Sequence, residues 1–421
     1  MNIDKLLNQI KKEEQRNTNF LHLTANENQM SNTARMFLGS KINERYYMGG
    51  GTRDAIMDNG HFTALGFPGV EHLVYEAMEA AKQMLSAVEV NLNVLSGVHA
   101  MICAILSTTE PNDTIMTVPL EAGGHFATKG IVERAGRKHV FADYNFATLT
   151  FDTNKIASKF SKLRIRALYL DISYYLNPVN LKGIRDAIGK NPIIIFDASH
   201  TMGLIMGQQF QSPLLEGANV ICANTHKTLP GPHKGMIAFR DMDLAEKANM
   251  IMNHGLYSST HVSHIIALAI TILEMKKYGK KFAKQIILNS NAIGTAFDNL
   301  GYEVKRANTG RYSENHQCHV FIDTKGNYMK LYKYLKDNNI ATNFEGMEFN
   351  NNRWFMRIGT AEVTRRGMNE PEMTQIARLM DQALQGKNVL HEVIALNSMY
   401  TKIHYSFDQR GFIQKCTDLL L

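Results

Sequence analysis

Residues 193–200 read Ile193-Ile194-Ile195-Phe196-Asp197-Ala198-Ser199-His200, and residues 220–228 read Val220-Ile221-Cys222-Ala223-Asn224-Thr225-His226-Lys227-Thr228. In each, a short apolar run ends abruptly in polar groups. Runs of this length, apolar on both faces, are strands of a parallel sheet covered on both sides. Open α/β sheets bind ligands at the carboxyl ends of their strands, and there these segments put an acid, two histidines and a lysine. A strand-end Asp can pair with a ring nitrogen that must stay protonated, or it can cap the next turn. A Lys at a desolvated strand end can lose its proton and attack a carbonyl, or it can face solvent as most lysines do. The flanking His226 and Thr228 and the rigid turn Pro230-Gly231-Pro232 weaken the solvent reading for Lys227.

Outward from these two runs the same rhythm continues. Further strand candidates are 113–118, 138–142, 165–172 and 235–239, with helical windows near 153–160 and 180–190. Upstream, Val70, Leu73, Val74, Ala77, Met78, Ala81, Met84 and Leu85 recur at helical spacing, followed by an apolar stretch 88–95 and a helix from Val98 to Leu106. Alternation of strand and helix predicts an α/β domain with a mostly parallel sheet. Beyond an apolar helix at 264–278 the order changes to strand 319–323, helix 327–337, strand 354–358 and helix 369–384, with Asn369 as N-cap and Glu370 and Glu372 in its first turn. The expected division is an N-terminal segment 1–50, a large domain 51–279 and a smaller α+β domain 280–421. Residues 2–16 form a polar helix, either an arm for a partner subunit or a frayed surface helix. The Gly-rich segment 48–68 reads as a long loop.

Composition narrows the class. The 421 residues, 44% apolar and 20% charged, match a soluble globular chain of about two domains. Four scattered cysteines give neither a disulfide scaffold nor a C-x-x-C motif. No apolar run reaches the roughly 18–20 residues of a membrane helix, and Met1 to Arg16 lacks a signal core. A cytoplasmic protein with no membrane partner is expected. The formal charge of +7 favours anionic ligands. Its densest basic run, Lys276, Lys277, Lys280, Lys281 and Lys284, reads as one solvated helix face, so no nucleic-acid partner is expected. No metal is expected either. His391-Glu392 lacks the second His of a zinc helix, and His316 and His319 are explained by a strand and its entry turn.

Three further pieces complete a chemical set. Ser96-Gly97 lies between a strand and a helix N-terminus, where backbone N–H groups attract phosphate. Gly123-Gly124-His125 places an imidazole after another strand, and Arg357 offers a bidentate fork for a carboxylate. Phosphate cup, His, Asp, a Lys 30 residues later and a distant Arg are the components of pyridoxal 5'-phosphate (PLP) catalysis.

These motifs also carry a resemblance. Thr225-His226-Lys227-Thr228-Leu229-Pro230-Gly231-Pro232 resembles the T-H-K-T-L-R-G-P signature of the serine hydroxymethyltransferase family, with Pro230 in place of Arg. Asp197-Ala198-Ser199-His200 resembles its D-M-A-H, Arg357 to Gly367 its R-I-G-T-A-A-V-T-T-R-G, Gly123-Gly124-His125 its G-G-H, and Thr24-Ala25-Asn26-Glu27-Asn28 its I-A-S-E-N. The likeness runs over about 20–385 in the same order. It implies the fold-type-I architecture of PLP-dependent transferases and aldol-type Cα–Cβ chemistry on serine and glycine with one-carbon transfer. It makes Lys227 the Schiff-base lysine and Asp197 the partner of the pyridine nitrogen. His125 would stack on the ring, with His200, His226 and Ser173 near it. Ser96 and Gly97 would hold the phosphate, and Ser259 and Thr260 would reach a neighbouring subunit's phosphate. Arg357 would clamp a small amino acid's carboxylate, with Asn26 and Tyr46 also near substrate. A homodimer with its sites at the subunit boundary follows from the same likeness.

The departures bear on the reaction. Lys41-Ile42-Asn43-Glu44-Arg45-Tyr46-Tyr47 aligns with the family either so that Glu44 is the catalytic acid or so that Arg45-Tyr46-Tyr47 match its R-Y-Y and the acid is lost; the first needs no upstream gap. Glu345 stands where the family's N-K-N has its second Asn, and Asn26 replaces a substrate-contacting Ser. Both changes set tetrahydrofolate use in question. Alongside folate-dependent serine–glycine interconversion stand a folate-independent threonine aldolase or transaldolase, a transaminase-like reaction, and a PLP-binding paralogue without turnover.

Overall fold

The computed structural model describes residues 2–48, 56–58, 63–146, 148–322, 327–347, 353–408, 411 and 413–414. The chain forms two compact units, one of Met1–Glu27 with Gln285–His404 and one of Asn28–Lys284 with Tyr405–Leu421. Each unit is thus assembled from two separate stretches of chain, whereas the expected segments 1–50, 51–279 and 280–421 were contiguous.

The larger unit is built on a seven-stranded sheet: β1 (Glu89–Asn91), β2 (Thr114–Thr117), β3 (Lys138–Phe141), β4 (Ile165–Leu170), β5 (Ile193–Asp197), β6 (Val220–Asn224) and β7 (Gly235–Phe239). Their order across the sheet is β1-β7-β6-β5-β4-β2-β3. The pairs β2–β3, β2–β4, β4–β5 and β5–β6 are parallel, while β6–β7 and β7–β1 are antiparallel. The apolar runs behave as their composition dictates: every residue of β6 and β7 is buried, and Ile193 to Phe196 likewise. Helix Gly97–Thr108 packs on this sheet through Ala100, Met101, Cys103, Ala104 and Ile105.

The apolar helix expected at 264–278 runs from Val262 to Asn299, 38 residues, and the division between the units falls inside it. Gly279 does not stop it. That glycine is a packing site, because Gly207 lies so close that a Cβ on Gly207 would meet the Gly279 carbonyl at 2.6 Å. Lys276, Lys277, Lys280, Lys281 and Lys284 are all exposed on this helix while Met275, Phe282, Ala283 and Ile286 are buried, so the basic run is a solvated face. Within 48–68, Ile56–Asp58 and Thr63–Leu65 pair as an antiparallel hairpin, so the expected loop contains strands there. The rest of its Gly-rich part, 49–55 and 59–62, lies outside the described residues.

In the smaller unit β8 (Gln317–Ile322), β9 (Asn343–Met347) and β10 (Arg353–Gly359) form an antiparallel sheet in the order β8-β10-β9. Helix Glu370–Leu384 starts at the expected Asn369 with a capping box to Glu372 and buries Met373, Ile376, Ala377 and Met380 against the sheet's core. The N-terminal helix Ile3–Thr18 buries none of its residues. Among the described residues no helix is long and apolar enough to cross a membrane, and no group of three or more His, Cys, Asp or Glu side chains is arranged to hold a metal.

Candidate active site

Four parallel strands, β2, β4, β5 and β6, deliver their carboxyl ends to one edge of the sheet. There the chain opens a cleft of about 300 Å³ lined by Ser96, Gly97, His125, Asp171, Ser173, Asp197, His200, Asn224, His226 and Lys227 among others. Eight of the residues singled out from the sequence therefore meet in one place, although they span more than 130 positions of chain.

Each is held by backbone-level constraints. Ser96 is the N-cap of helix Gly97–Thr108, its hydroxyl accepting from the His99 N–H at 3.1 Å. The first N–H groups of this helix have no intrahelical acceptor and remain available at the cleft. A side chain at Gly97 would place Cβ 2.7 Å from the Asn224 Cβ, so only glycine lets the helix start this close to β6. The His125 turn has the same logic. Gly123 is at φ 89°, and a Cβ on Gly124 would meet the Val118 carbonyl at 2.3 Å. The His125 N–H donates to Asp171 Oδ2 at 3.0 Å, and the Thr128 hydroxyl donates to the same oxygen. His125 Nδ1 accepts from the Ala127 N–H at 3.3 Å, and burial holds its pKa below the ordinary imidazole value. Its ring stacks on exposed Phe126, with centroids 4.6 Å apart.

Asp197 closes β5. Oδ2 accepts from the Tyr169 hydroxyl at 2.7 Å and Oδ1 from the Ser199 N–H at 2.9 Å, so the local turn cap coexists with a carboxylate at the cleft. Lys227 Nζ lies 3.0 Å from His200 Nε2. The Asn224 amide, oriented to satisfy both its ends, accepts from Lys227 Nζ and donates to the Ser199 carbonyl. The Lys227 carbonyl accepts from Asn28 Nδ2 at 2.7 Å, which ties the lysine loop to the segment near residue 28. Behind it His226 stacks on His233 at 3.8 Å, and burial first, then its neighbours His233 and Lys227, push its pKa down to about 3. Ser173 donates to the Gly123 carbonyl at 2.7 Å. Asp171, fully enclosed after β4, is pushed up to about 7, by burial first and by the charge of Asp197 second.

The remaining expected residues are not among those that line this cleft. Glu44 ends a 3-10 turn, its side chain 69% exposed and 3.9 Å from Arg45. Tyr46 is exposed and hydrogen-bonds Ser258. Thr260 is buried, its N–H donating to the Tyr47 carbonyl at 2.8 Å, and Ser259 Oγ accepts from the Tyr47 N–H at 3.4 Å. Arg357 and Asn26 belong to the smaller unit. There β10 puts Arg357 between His319 of β8 and Asn343 of β9. Arg357 Nη2 is 3.0 Å from Glu345 Oε1 and 3.5 Å from Asn343 Oδ1. His319 is enclosed and pushed down to about 3, by burial and then by Arg357, and its Nε2 pairs with Gln317 Oε1 at 3.0 Å. His316 Nε2 is 3.1 Å from the Ala25 carbonyl.

The cleft fits PLP by the chemistry of its donors: an amine for an aldehyde, a carboxylate for a pyridinium, and a glycine-opened helix N-terminus for a phosphate. Asp171 and Asn224 were not singled out from the sequence. Asp171 follows the same signal as Asp197, an acid ending an apolar strand.

The chain matches the serine hydroxymethyltransferase family over residues 2–380. It is 33% identical over 408 residues to a serine hydroxymethyltransferase of Methanocella arvoryzae, covering 93% of each chain. It is 33% identical over 380 residues to a fluorothreonine transaldolase of Streptantibioticus cattleyicolor, covering 88% of this chain and 58% of that protein. The solved L-threonine transaldolase of Pseudomonas fluorescens superposes with a TM-score of 0.91 at 24% identity, over 99% of this chain and 97% of that one. The chain's lysine-bearing cleft and these matches have one reading: the chain belongs to the serine hydroxymethyltransferase family, enzymes of the fold-type-I, PLP-dependent, aldol-type transferase class.

Proposed function

We infer that this enzyme makes and breaks the Cα–Cβ bond of a small β-hydroxy amino acid, releasing or consuming glycine. The observation that carries the inference is Lys227 Nζ, held by His200 and Asn224 in the same cleft as Asp197 and the Ser96–Gly97 helix start. PLP bound there supplies an aldehyde that condenses with amines and a ring that accepts the electron pair left at Cα. Lys227 is the amine that would hold the cofactor through its aldehyde. Asp197 keeps the ring nitrogen protonated, with Tyr169 and the Ser199 N–H fixing its two oxygens. His125 covers the ring face as a neutral imidazole. His200 holds or moves the proton at Lys227 Nζ, while Ser173 and His226 shape the wall. Arg357 orients the substrate carboxylate, so that the bond to be broken stands where its electrons are best accepted.

A homodimer belongs to the same reading. Glu44 and Tyr46 are exposed in the single chain, as is the apolar stripe Ile3, Leu6, Leu7 and Ile10. Glu44 serves as the acid at the β-hydroxyl where a second copy of the chain presents it. Ser259 and Thr260 then face the partner's cofactor phosphate. A cytoplasmic setting accompanies this small-molecule chemistry.

The first activity to expect is serine–glycine interconversion, in keeping with the similarity to serine hydroxymethyltransferases across most of the chain. A second reading, folate-independent aldol transfer on threonine-like substrates, draws on one observation. Glu345, at the position of the family's second N-K-N Asn, is engaged by Arg357. The test is a panel that measures glycine release from serine with and without tetrahydrofolate, and acetaldehyde from threonine without it. Folate-stimulated glycine from serine supports the first reading. Acetaldehyde with no folate effect replaces it by the second, and keto-acid formation overturns both.

A further inference from the structure

Lys234, just before β7, is 1% exposed. Its Nζ donates to the Thr260 carbonyl at 3.1 Å and the Val94 carbonyl at 3.2 Å. Among the described residues no carboxylate pairs with it. The titratable groups that face it are His99, on helix Gly97–Thr108, and His264, on helix Val262–Asn299. His99 Nδ1 accepts from the Leu95 N–H at 2.9 Å and Nε2 reaches the Leu256 carbonyl at 2.9 Å, which makes this imidazole neutral. His264 is held below the ordinary imidazole value by burial and by His261, Lys234 and His233. A buried ammonium satisfied only by carbonyls is costly, and burial pushes the Lys234 amine down to about 7.

The location gives this cost a use. Val94 leads into the Ser96–Gly97 turn, and Thr260 sits in the turn that also carries Ser259. Gly235 presses the same place, its N–H donating to the Val94 carbonyl at 3.3 Å. A Cβ there would lie 2.4 Å from the Ser96 carbonyl. Lys234 thus ties the turn of the proposed Ser96–Gly97 phosphate cup to the turn whose Ser259 and Thr260 are proposed to face the partner's phosphate.

We propose that Lys234 is a positioning residue for the cofactor phosphate: its ammonium holds the two turns in their anion-binding arrangement, and an arriving phosphate dianion fixes the proton on its amine. This rests on the reading that the Ser96–Gly97 cup takes the PLP phosphate. The balance is simple, since one proton moves from solvent to Lys234 Nζ and no bond to the phosphate forms.

The test uses full-length protein freed of cofactor and compares PLP with pyridoxal, which has the same aldehyde and ring but no phosphate. The ratio of their affinities cancels events at Lys227. A phosphate monoester has a second pKa near 6 and is mostly a dianion above about pH 7, so the informative window is pH 7–9. There the wild-type preference for PLP falls with rising pH, by at most about tenfold per unit. In Lys234→Met the preference is about tenfold lower at pH 7 and flat to pH 9. Calorimetry of wild type in two buffers of different protonation enthalpy needs no variant. At pH 8, PLP takes up close to one proton more than pyridoxal, as an amine titrating near 7 requires. Equal proton uptake by the two ligands, or an unchanged pH slope in Lys234→Met, overturns the proposal. Borohydride fixation of PLP to Lys227 is read in parallel: its failure in wild type sinks the cofactor reading itself, whereas fixation with equal proton uptake sinks the role of Lys234 alone.

Discussion

Replacing Glu345 by Gln should tighten the binding of glycine. Arg357 is nearly buried, and its Nη2 lies 3.0 Å from a Glu345 carboxylate that is about one-fifth exposed. At that distance and an effective dielectric of about 20, the attraction is about 5 kcal/mol before desolvation. Desolvation of both groups cancels much of it, leaving about 1.5–3 kcal/mol, as for other hydrogen bonds to charged groups. If Arg357 is the fork for the substrate, an incoming carboxylate must displace Glu345 or share the guanidinium with it. Glu345→Gln keeps the shape and removes the competing charge, so the affinity for glycine should rise about tenfold, or about 1.4 kcal/mol. The free protein should lose about 1–3 kcal/mol of stability, because a buried guanidinium loses a counter-charge 3.0 Å away. The assay is a glycine titration of the PLP-loaded enzyme followed by cofactor absorbance, with a parallel thermal melt. Ethanolamine, which has serine's amine and hydroxyl but no carboxylate, should show no gain. Unchanged or weaker glycine binding in a variant with a normal cofactor spectrum refutes the reasoning, as does an equal gain for ethanolamine.

Other outcomes follow from the larger unit. Lys227→Ala should leave no peptide tagged when PLP and borohydride are added, while wild type is tagged on the peptide containing residue 227. Gly97→Ala should weaken PLP binding by at least tenfold with little effect on pyridoxal, since the added methyl lands 2.7 Å from the Asn224 Cβ and forces the helix start away. Asp171 has a native pKa near 7, above the usual carboxyl value, so its contribution to stability is complete below about pH 4. It is lost as pH rises through 7. Melting temperatures of wild type should therefore fall between pH 5 and 8 relative to Asp171→Asn; parallel curves would show that Asp171 does not titrate in this window.

The larger unit was readable because its strands are buried on both faces and so carry an unbroken apolar signal: 192–197 was expected and Ile193–Asp197 was found. The polar residues after those strands converge because parallel strands all end at one edge, so Lys227, Asp197 and His125 could be grouped without knowing the sheet order. Contacts that depend on register could not be read. Glu345 meets Arg357 because β9 pairs with β10 so that Asn343 stands opposite Arg357 and Glu345 lies on the diagonal. Nothing local in Asn343-Phe344-Glu345 specifies that pairing. The hairpin at 56–65 escaped because a Gly-rich stretch shows no alternation. Lys234 was not singled out from the sequence; the one available sign is that it directly precedes the fully apolar β7. The helix from Val262 was expected only over 264–278; it continues through Gly279, whose close approach to Gly207 has no sequence signature.

One residue joins these observations. Thr260 gives its N–H to the Tyr47 carbonyl and its own carbonyl to Lys234, which also grips Val94. The two amide planes that meet at the Thr260 Cα therefore carry one load each, Tyr47 on the first and Lys234 on the second. If the Ser96–Gly97 cup takes the cofactor phosphate, a substitution at Tyr46 or Tyr47 that moves the Tyr47 carbonyl is expected to shift Thr260 and with it the carbonyl that Lys234 holds, which makes the affinity for phosphate esters adjustable from outside the cleft.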